Sequence, residues 1–217
     1  MNAWILPTED VSYLDRDLLD EKGLLKVLPA RFYKNTPPNH ISLWAGQHGI
    51  YVFPTTELVD WLRERIGTRK AIKIGAGNGA IARALNIVAT DSHVQNTPEM
   101  IEYYRMIGQQ TTRPPADVYK FEAGDAVDIL KPQVVVAAFV TQKFQQGDQT
   151  SFVGSSVFGA DELSLLPKVE TYIHVGNDKS HGDKRILKFP HEVFRFDWIV
   201  TRAQDQSLNS ITVWDRK

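Results

Sequence analysis

Short apolar segments and helical patterns alternate along the chain from about residue 54 onward, and this alternation limits the possible folds more than any other feature. Residues 71–74 and 134–140 have the length of strands, and the second segment is apolar throughout, as in a central strand buried on both faces. Strands that alternate with helices form a parallel sheet covered by helices on both sides. The sequence therefore predicts an α/β fold with a three-layer, mostly parallel sheet.

The predicted elements follow one another in regular order after Pro54. Strands are predicted at residues 71–74, 87–90, 118–121, 134–140 and 170–175. Helices are predicted from Thr55 or Thr56 to Gly67, at residues 80–85, from Thr97 to Gly108, and at residues 125–130 and 161–166. The helix after Thr97 has an apolar face formed by Met100, Ile101, Tyr104 and Ile107. Residues 193–201 and 210–215 alternate apolar and polar side chains, which predicts a C-terminal antiparallel hairpin at the sheet edge.

The first 54 residues differ from the rest because prolines interrupt them at positions 7, 29, 37, 38 and 54. One short helix is predicted at residues 15–28, interrupted near Gly23, and a loop is predicted at residues 35–39. We therefore divide the chain into an N-terminal arm, residues 1–54, and a main domain, residues 55–217. The aromatic residues of the arm are consistent with packing on the main core and also with a lid that selects the substrate.

Composition excludes several classes of function. The chain has 217 residues, no cysteine, and 25 Lys and Arg residues against 26 Asp and Glu residues. Without cysteine there is no disulfide, no cysteine-bound metal and no cysteine nucleophile. A net charge of -1 argues against a protein that holds nucleic acid by charge alone, so a small-molecule substrate is expected. No apolar run approaches the roughly 20 residues of a spanning helix and no signal peptide is evident, so a cytoplasmic protein is predicted.

The segment Gly75-Ala76-Gly77-Asn78-Gly79 lies directly after a predicted strand and opens a predicted helix. Glycine permits positive φ and lets a ligand approach the backbone with no Cβ in the way. The start of a helix also offers unpaired amide groups to an electronegative ligand. These residues, called the glycine turn below, are candidates for ligand binding, and the alternative is a tight connection with no ligand.

Two carboxylates follow the next two strands. Asp91 closes the second strand, where an acid can accept hydrogen bonds from ribose hydroxyls. Asp125 follows the third strand within Gly124-Asp125-Ala126, where a carboxylate could accept a bond from an adenine amino group. Each acid could instead cap local structure, Asp91 a turn and Asp125 the short helix behind it.

With these residues in place, the chain resembles the class I S-adenosylmethionine-dependent methyltransferases over residues 54–217. The family's first motif is similar to residues 74–79, and its acids after strands two and three match Asp91 and Asp125. The resemblance implies a Rossmann-like sheet with an antiparallel last strand, and methyl transfer from S-adenosylmethionine to an acceptor. It also implies that the glycine turn passes the methionine part of the cofactor, Asp91 holds the ribose, and Asp125 with Ala126 holds the adenine.

Three features depart from that family's pattern. Lys73 stands two residues before the first glycine, where the family usually has Asp or Glu, and it would repel the cofactor's positive charges. Only 16 residues separate Gly75 from Asp91, and no Asn/Asp-Pro-Pro-Tyr/Phe segment follows strand four. Two alternatives therefore stay open. One is a binding module of the same fold without catalytic activity. The other is a nicotinamide-dependent oxidoreductase, because the turn also satisfies the looser Gly-x-Gly-x-x-Ala pattern.

No catalytic residue is assigned from the sequence. Thr141 and Gln142 follow the fourth strand and could contact an acceptor, or they simply end the strand. Residues 174–183 contain two His and two Asp, but their spacing matches no metal site, so a surface loop without metal is predicted. His181 is a candidate general base from its expected position near the mouth of the sheet. Lys184, in a basic pair with the next residue, is predicted to be solvated.

Overall fold

The structure, a computed structural model, describes residues 9–143, 155–156 and 158–216. Its strands are β1 (Ala71–Ile74), β2 (Val88–Asp91), β3 (Val118–Lys120), β4 (Val134–Ala138), β5 (Gln142–Lys143), β6 (Ser155–Ser156), β7 (Thr171–Asn177), β8 (Glu192–Phe194) and β9 (Asn209–Asp215). Its α-helices are α1 (Asp15–Leu18), α2 (Ala30–Lys34), α3 (Pro38–Gln47), α4 (Thr56–Ile66), α5 (Ala80–Leu85), α6 (Pro98–Met106), α7 (Ala123–Leu130), α8 (Glu162–Leu165) and α9 (Asp178–His181). Short 3-10 segments lie at Ser12–Leu14, Val94–Asn96, Leu166–Lys168, Arg185–Lys188 and Gln206–Leu208.

A seven-stranded sheet in the order β3-β2-β1-β4-β7-β9-β8 forms the centre of the described structure. The first five of these strands are parallel, whereas β9 runs antiparallel to both of its neighbours, β7 and β8. The predicted mostly parallel, Rossmann-like sheet with a C-terminal antiparallel hairpin is therefore confirmed. Because β2 lies on one side of β1 and β4 on the other, the topological switch point is between β1 and β4.

The two faces of the sheet bury different side chains, because successive residues of a strand point to opposite sides. Val134 and Val136 of β4 belong to an apolar cluster that includes residues of α4. Val135 and Ala137 belong to the cluster on the other face, with residues of α7 and α8. Strand β4 is therefore buried on both faces, which explains its continuous apolar sequence.

Helix α4 begins and ends where the sequence indicates. The Thr55 side chain accepts a hydrogen bond from the Leu58 amide, with 3.1 Å between Oγ1 and N. Gly67 follows the helix with a φ of 60°, a conformation that favours glycine. Each signal lies within a few residues of the helix end that it determines, so both can be recognised from the sequence alone.

Predictions for the N-terminal arm are largely wrong. Only Asp15–Leu18 of the predicted helix at residues 15–28 is α-helical, and Leu19 pairs with Leu25 in an antiparallel bridge. Helices α2 and α3 were not predicted, and α3 begins inside the predicted loop at residues 35–39. Pro38 is tolerated there because the first helical residue needs no N–H partner.

The arm has its own apolar cluster and contacts the main domain. Trp44 is fully buried, and its Nε1 donates to Asp15 Oδ1 at 2.7 Å. The cluster around Trp44 also contains Ala80 of α5 and Val200, which belong to the main domain. The division at residue 54 and the role of the arm as a lid stay predictions.

Two further elements differ from their predictions. Strand β8 is Glu192–Phe194 and overlaps the predicted segment 193–201 only at its first two residues, whereas Thr201 bridges to Val52 of the arm. Helix α6 has no fully buried residue; of its predicted apolar face, Met100 and Tyr104 are partly buried, whereas Ile101 and Ile107 are exposed. Ile101 is 47% exposed, which leaves an apolar helix face at the end of the sheet.

Candidate functional site

A cavity of about 440 Å³ lies at the carboxyl ends of the parallel strands. Its walls come from the glycine turn, the ends of β2 and β4, helix α6, and Tyr51 and Arg202, which lie next to the bridge between Val52 and Thr201. The lining residues are Tyr51, Gly75, Gly77, Asp91, Ser92, Val94, Gln95, Met100, Tyr103, Tyr104, Thr112, Ala138, Phe139, Val140, Thr141, Ser156, Phe158, Gly159 and Arg202. Its volume is in the range of small-molecule sites, and ligands of open α/β sheets bind at this position.

The glycines of the turn are required by the turn itself. Gly75 and Gly77 have φ values of 50° and 55°, where residues with a Cβ are strained. A Cβ on Gly75 would lie 2.7 Å from Val140 Cγ2, and one on Gly77 would lie 3.0 Å from Thr112 Cγ2. Packing of the protein therefore accounts for glycine at both positions, and both residues also line the cavity.

Four amides of the glycine turn and of the helix start behind it donate hydrogen bonds within the protein. Ala76 N donates to Thr90 O at 2.9 Å, and Gly79 N donates to Ala76 O at 3.0 Å. Gly77 N donates to Asp91 Oδ2 at 2.9 Å, and Ala80 N donates to Asn78 Oδ1 at 3.0 Å. These four amides are therefore paired within the protein, and the role of the turn in ligand binding stays a prediction.

Asp91 is the last residue of β2 and lines the cavity. Its Oδ2 accepts from Gly77 N, and its Oδ1 accepts from His93 N, both at 2.9 Å. A carboxylate offers about four acceptor sites, so about two are left for a ligand. The local capping role is observed, and it leaves room for the predicted contact with ribose hydroxyls.

Asp125 and Ala126 lie apart from the rest of the predicted site. Asp125 is exposed in the first turn of α7, where a negative charge is favourable, and it does not line the cavity. Ala126 is fully buried in the apolar cluster beneath that helix. The structure thus brings the glycine turn and Asp91 together and leaves these two residues outside.

Lys73 is buried directly behind the turn. It is 2% exposed, and its Nζ donates to Ile74 O at 2.8 Å and to Gly75 O at 3.1 Å. Burial lowers the pKa of Lys73 to about 7, and the nearby Asp91 carboxylate opposes that fall. Lys73 also lines a second cavity of about 50 Å³ beside the turn, which is room for little more than one or two waters.

Aromatic residues from distant parts of the chain meet at the cavity. The Tyr51 and Tyr104 hydroxyl oxygens are 3.0 Å apart, and the Tyr51 and Phe139 ring centroids are 6.1 Å apart. The Arg202 guanidinium carbon lies 3.6 Å from the centroid of the Tyr51 ring. Sequence reasoning missed Tyr51 and Arg202 because neither belongs to a motif, and only tertiary contacts join them.

The segment after β4 carries backbone strain. Phe139 has a φ of 53°, which is unfavourable for a bulky side chain, so the strand ends at Ala138 and not at residue 140. Strain of this kind is found more often at functional sites than elsewhere. Of the two polar residues predicted here, Thr141 lines the cavity, while Gln142 is buried and its Oε1 accepts from Arg185 N at 2.7 Å.

A buried ion pair supports this segment from behind. Lys184 Nζ donates to Glu162 Oε1 at 2.6 Å and to Val140 O at 2.8 Å. The Tyr172 hydroxyl donates to the same Glu162 oxygen at 2.7 Å. Lys184 is 3% exposed, so the prediction that it is solvated is wrong.

The two histidines of residues 174–183 are also buried, which contradicts the predicted surface loop. Burial, together with the Lys184 charge, holds the pKa of His174 well below its usual value and lowers that of His181 to about 4. Neither ring lines the cavity, although His181 contacts Phe139 with 4.8 Å between centroids. Among the described residues, no three metal-binding side chains converge on one point.

The order of the sheet and the position of the cavity define the class of fold: the chain resembles the class I methyltransferases, with β9 inserted between β7 and β8. No protein-family model matches the chain, and no curated protein matches its sequence. Within the described ranges, no helix combines the length and apolar content needed to cross a membrane.

Solved structures of weakly similar fold include methyltransferases. A DNMT2 variant from Spodoptera frugiperda is 11% identical with a TM-score of 0.38, over 69% of this chain and 50% of that one. A proposed RNA methyltransferase from Pyrococcus horikoshii is 12% identical with a TM-score of 0.37, over 74% and 83%. A S-adenosylmethionine-dependent methyltransferase from Agrobacterium tumefaciens is 10% identical with a TM-score of 0.36, over 73% and 61%. This chain thus spans half the length of the Spodoptera protein.

Proposed function

We propose that the protein is a methyltransferase that uses S-adenosylmethionine and acts on a small-molecule acceptor. The observation that carries the proposal is the shared cavity, which the glycine turn, Asp91 and the end of β4 line at the switch point of the sheet. Methyl transfer mainly requires that donor and acceptor are held in line, so such a cavity can serve it without a dedicated catalytic residue. The net charge of -1 favours a small molecule over a polyanion.

The cavity fits the nucleoside part of this cofactor. Asp91 keeps acceptor sites for ribose hydroxyls, and the backbone of Gly75 and Gly77 borders the same space. When bound, the cofactor supplies a methyl group activated by a positively charged sulfur. A protonated Lys73 would repel the positive charges of the cofactor, so the uncharged form of this lysine would favour binding. The lowered pKa of Lys73, about 7, makes the uncharged form available near neutral pH.

Isothermal titration calorimetry with S-adenosylmethionine and S-adenosylhomocysteine tests the proposal at about pH 8, where most Lys73 is uncharged. We expect both ligands to bind, and Asp91→Asn to weaken them about tenfold or more because a carboxylate acceptor is lost. Asp125→Asn is the matched control: its carboxylate lies outside the cavity, so affinity should not change. Absence of heat from either ligand at millimolar concentration would contradict the proposal.

A binding module without activity is the second candidate, and the position of Lys73 supports it. The Lys73 ammonium already occupies the carbonyl oxygens of Ile74 and Gly75. If the wild type binds no cofactor and Lys73→Glu does, the lysine blocks the site and this second candidate is correct. The nicotinamide alternative is disfavoured by the antiparallel β9 between β7 and β8, and fluorescence titration with a reduced nicotinamide nucleotide tests it.

A further inference from the structure

One wall of the cavity is aromatic, and the proposed cofactor contacts do not use it. The rings on this wall belong to Tyr51, Tyr103, Tyr104, Phe139 and Phe158. Tyr51 and Phe139 are tilted by 47°, and Tyr103 and Tyr104 meet edge to face at 83° with 5.7 Å between centroids. Because the rings of this wall are inclined to one another, a planar ring ligand can stack on the face of one side chain and contact the edge of another. The wall therefore favours such a ligand.

The same wall carries the positive charge of Arg202. Arg202 stacks on Tyr51, and its Nη2 lies 3.4 Å from Gln109 Oε1. Within the described part of the chain, no carboxylate lies at salt-bridge distance from Arg202. By contrast, Arg65 is paired with Glu192. A guanidinium has five N–H donors, so Arg202 retains donors that fit the planar carboxylate group.

A hydroxyl donor stands beside this guanidinium. In the Tyr51–Tyr104 pair, one hydroxyl donates to the other, and the accepting hydroxyl keeps its own proton for a further partner. Burial raises the pKa of Tyr104, so its hydroxyl stays protonated at neutral pH and can donate either to Tyr51 or to a ligand. Arg202 and the tyrosine pair thus present a charged and a neutral donor to one face of the cavity.

We propose that this wall binds a planar aromatic carboxylic acid, whose ring packs among the tyrosines and whose carboxylate pairs with Arg202. The identification of this acid as the methyl acceptor rests on the proposed function. The binding site itself rests on the aromatic wall and the unpaired guanidinium. A polyanion is a poorer match, because the wall presents a single arginine and the chain has a net charge of -1.

Isothermal titration with three simple probes tests the site in the wild-type protein. Benzoate has both the ring and the charge, benzamide is its neutral isostere, and cyclohexanecarboxylate has the charge without the aromatic ring. We expect benzoate to bind about tenfold or more tightly than either of the other two, because only it satisfies both parts of the wall. Equal affinity for benzoate and benzamide would overturn the proposal.

Substitutions then assign the charge to one residue. Arg202→Gln should weaken benzoate about tenfold or more and leave benzamide unchanged. Arg105→Gln, an exposed arginine on α6 that is paired with Glu102, is the matched control and should change neither. If Arg202→Gln does not fold, Tyr104→Phe removes only the hydroxyl donor and should weaken benzoate more than benzamide, because a hydrogen bond to a charged acceptor is the stronger one.

Titration with S-adenosylhomocysteine separates this inference from the proposed function. Selective benzoate binding without S-adenosylhomocysteine binding would support the aromatic acid site and contradict the cofactor. The opposite result would be binding of S-adenosylhomocysteine with no preference for benzoate over benzamide, whether or not S-adenosylhomocysteine is present. That result would support the cofactor and overturn the aromatic acid site.

Discussion

Replacing Lys73 by Met should remove a pH-dependent loss of stability that the buried lysine causes. Lys73 is 2% exposed in the central strand β1, and Met has a similar length without a charge. The unfolded chain holds this lysine in water with an ordinary pKa of 10.5, whereas burial lowers its pKa to about 7 in the folded protein. Between these two values, the unfolded state binds a proton that the folded state does not.

The size of the effect follows from that difference in pKa. At about 1.4 kcal/mol per pKa unit, a fall from 10.5 to about 7 corresponds to about 5 kcal/mol. The free energy of unfolding should therefore rise with pH by about 1.4 kcal/mol per unit above pH 7, and stay level below it. The Met variant lacks this term, although it leaves the carbonyls of Ile74 and Gly75 without a donor at every pH.

Urea unfolding from about pH 6 to about pH 9.5 measures the slope, and the constant loss at the two carbonyls does not affect it. The free energy of unfolding of Lys73→Met minus that of the wild type should fall by about 3 kcal/mol from about pH 7 to about pH 9.5. Lys120→Met, an exposed lysine on strand β3, is the control and should follow the wild-type profile. Parallel profiles for wild type and Lys73→Met would refute the reasoning, because they would mean that the lysine titrates alike in both states.

Three further substitutions test the packing around the site. Glu162→Gln should destabilise the protein by about 3–5 kcal/mol in urea unfolding, because Lys184 would be buried without its counter-charge, whereas the exposed Glu170→Gln should have little effect. Phe139→Gly should have a higher midpoint of thermal unfolding than Phe139→Ala, by about 1 kcal/mol in stability, because only glycine is unstrained at its positive φ; the reverse order would contradict this. Thr55→Ala should destabilise the protein by about 2 kcal/mol, because the Thr55 hydroxyl caps α4 and also donates to Trp198 O, and an equal loss in Thr55→Ser would show that the hydroxyl is not the cause.

The parts of the fold that the sequence predicts correctly depend on local signals. Thr55 and Gly67 mark the ends of α4, and the apolar run of β4 indicates burial on both faces, because each signal is contained within one element. The N-terminal arm lacks such signals. The sequence predicts a loop at Pro38, yet this residue starts a helix, because packing around Trp44 decides the conformation there.

The candidate site was predictable only where its residues follow strands. Asp91 and the glycine turn lie at strand ends, so the parallel sheet brings them together. Asp125 follows a strand as well, but α7 begins at Ala123, two residues earlier, and the side chain emerges on the exposed side of its first turn. Arg202 lies far from the turn in sequence, and only the bridge between Val52 and Thr201 brings it to the cavity.

Charge is distributed unequally around the cavity, and this distribution makes a final prediction. Asp91 gives the turn side a negative charge, which Lys73 cancels only while protonated. The opposite wall keeps the charge of Arg202 whether or not Lys73 is protonated. A cationic cofactor should therefore bind about tenfold more tightly at pH 8 than at pH 6, as Lys73 loses its proton, while benzoate affinity stays constant. Titration calorimetry at both pH values measures the affinities for the cofactor and for benzoate. In Lys73→Met, the affinity for the cofactor should no longer depend on pH. If both ligands showed the same pH dependence in the wild type, the two ends of the cavity would not be electrostatically distinct.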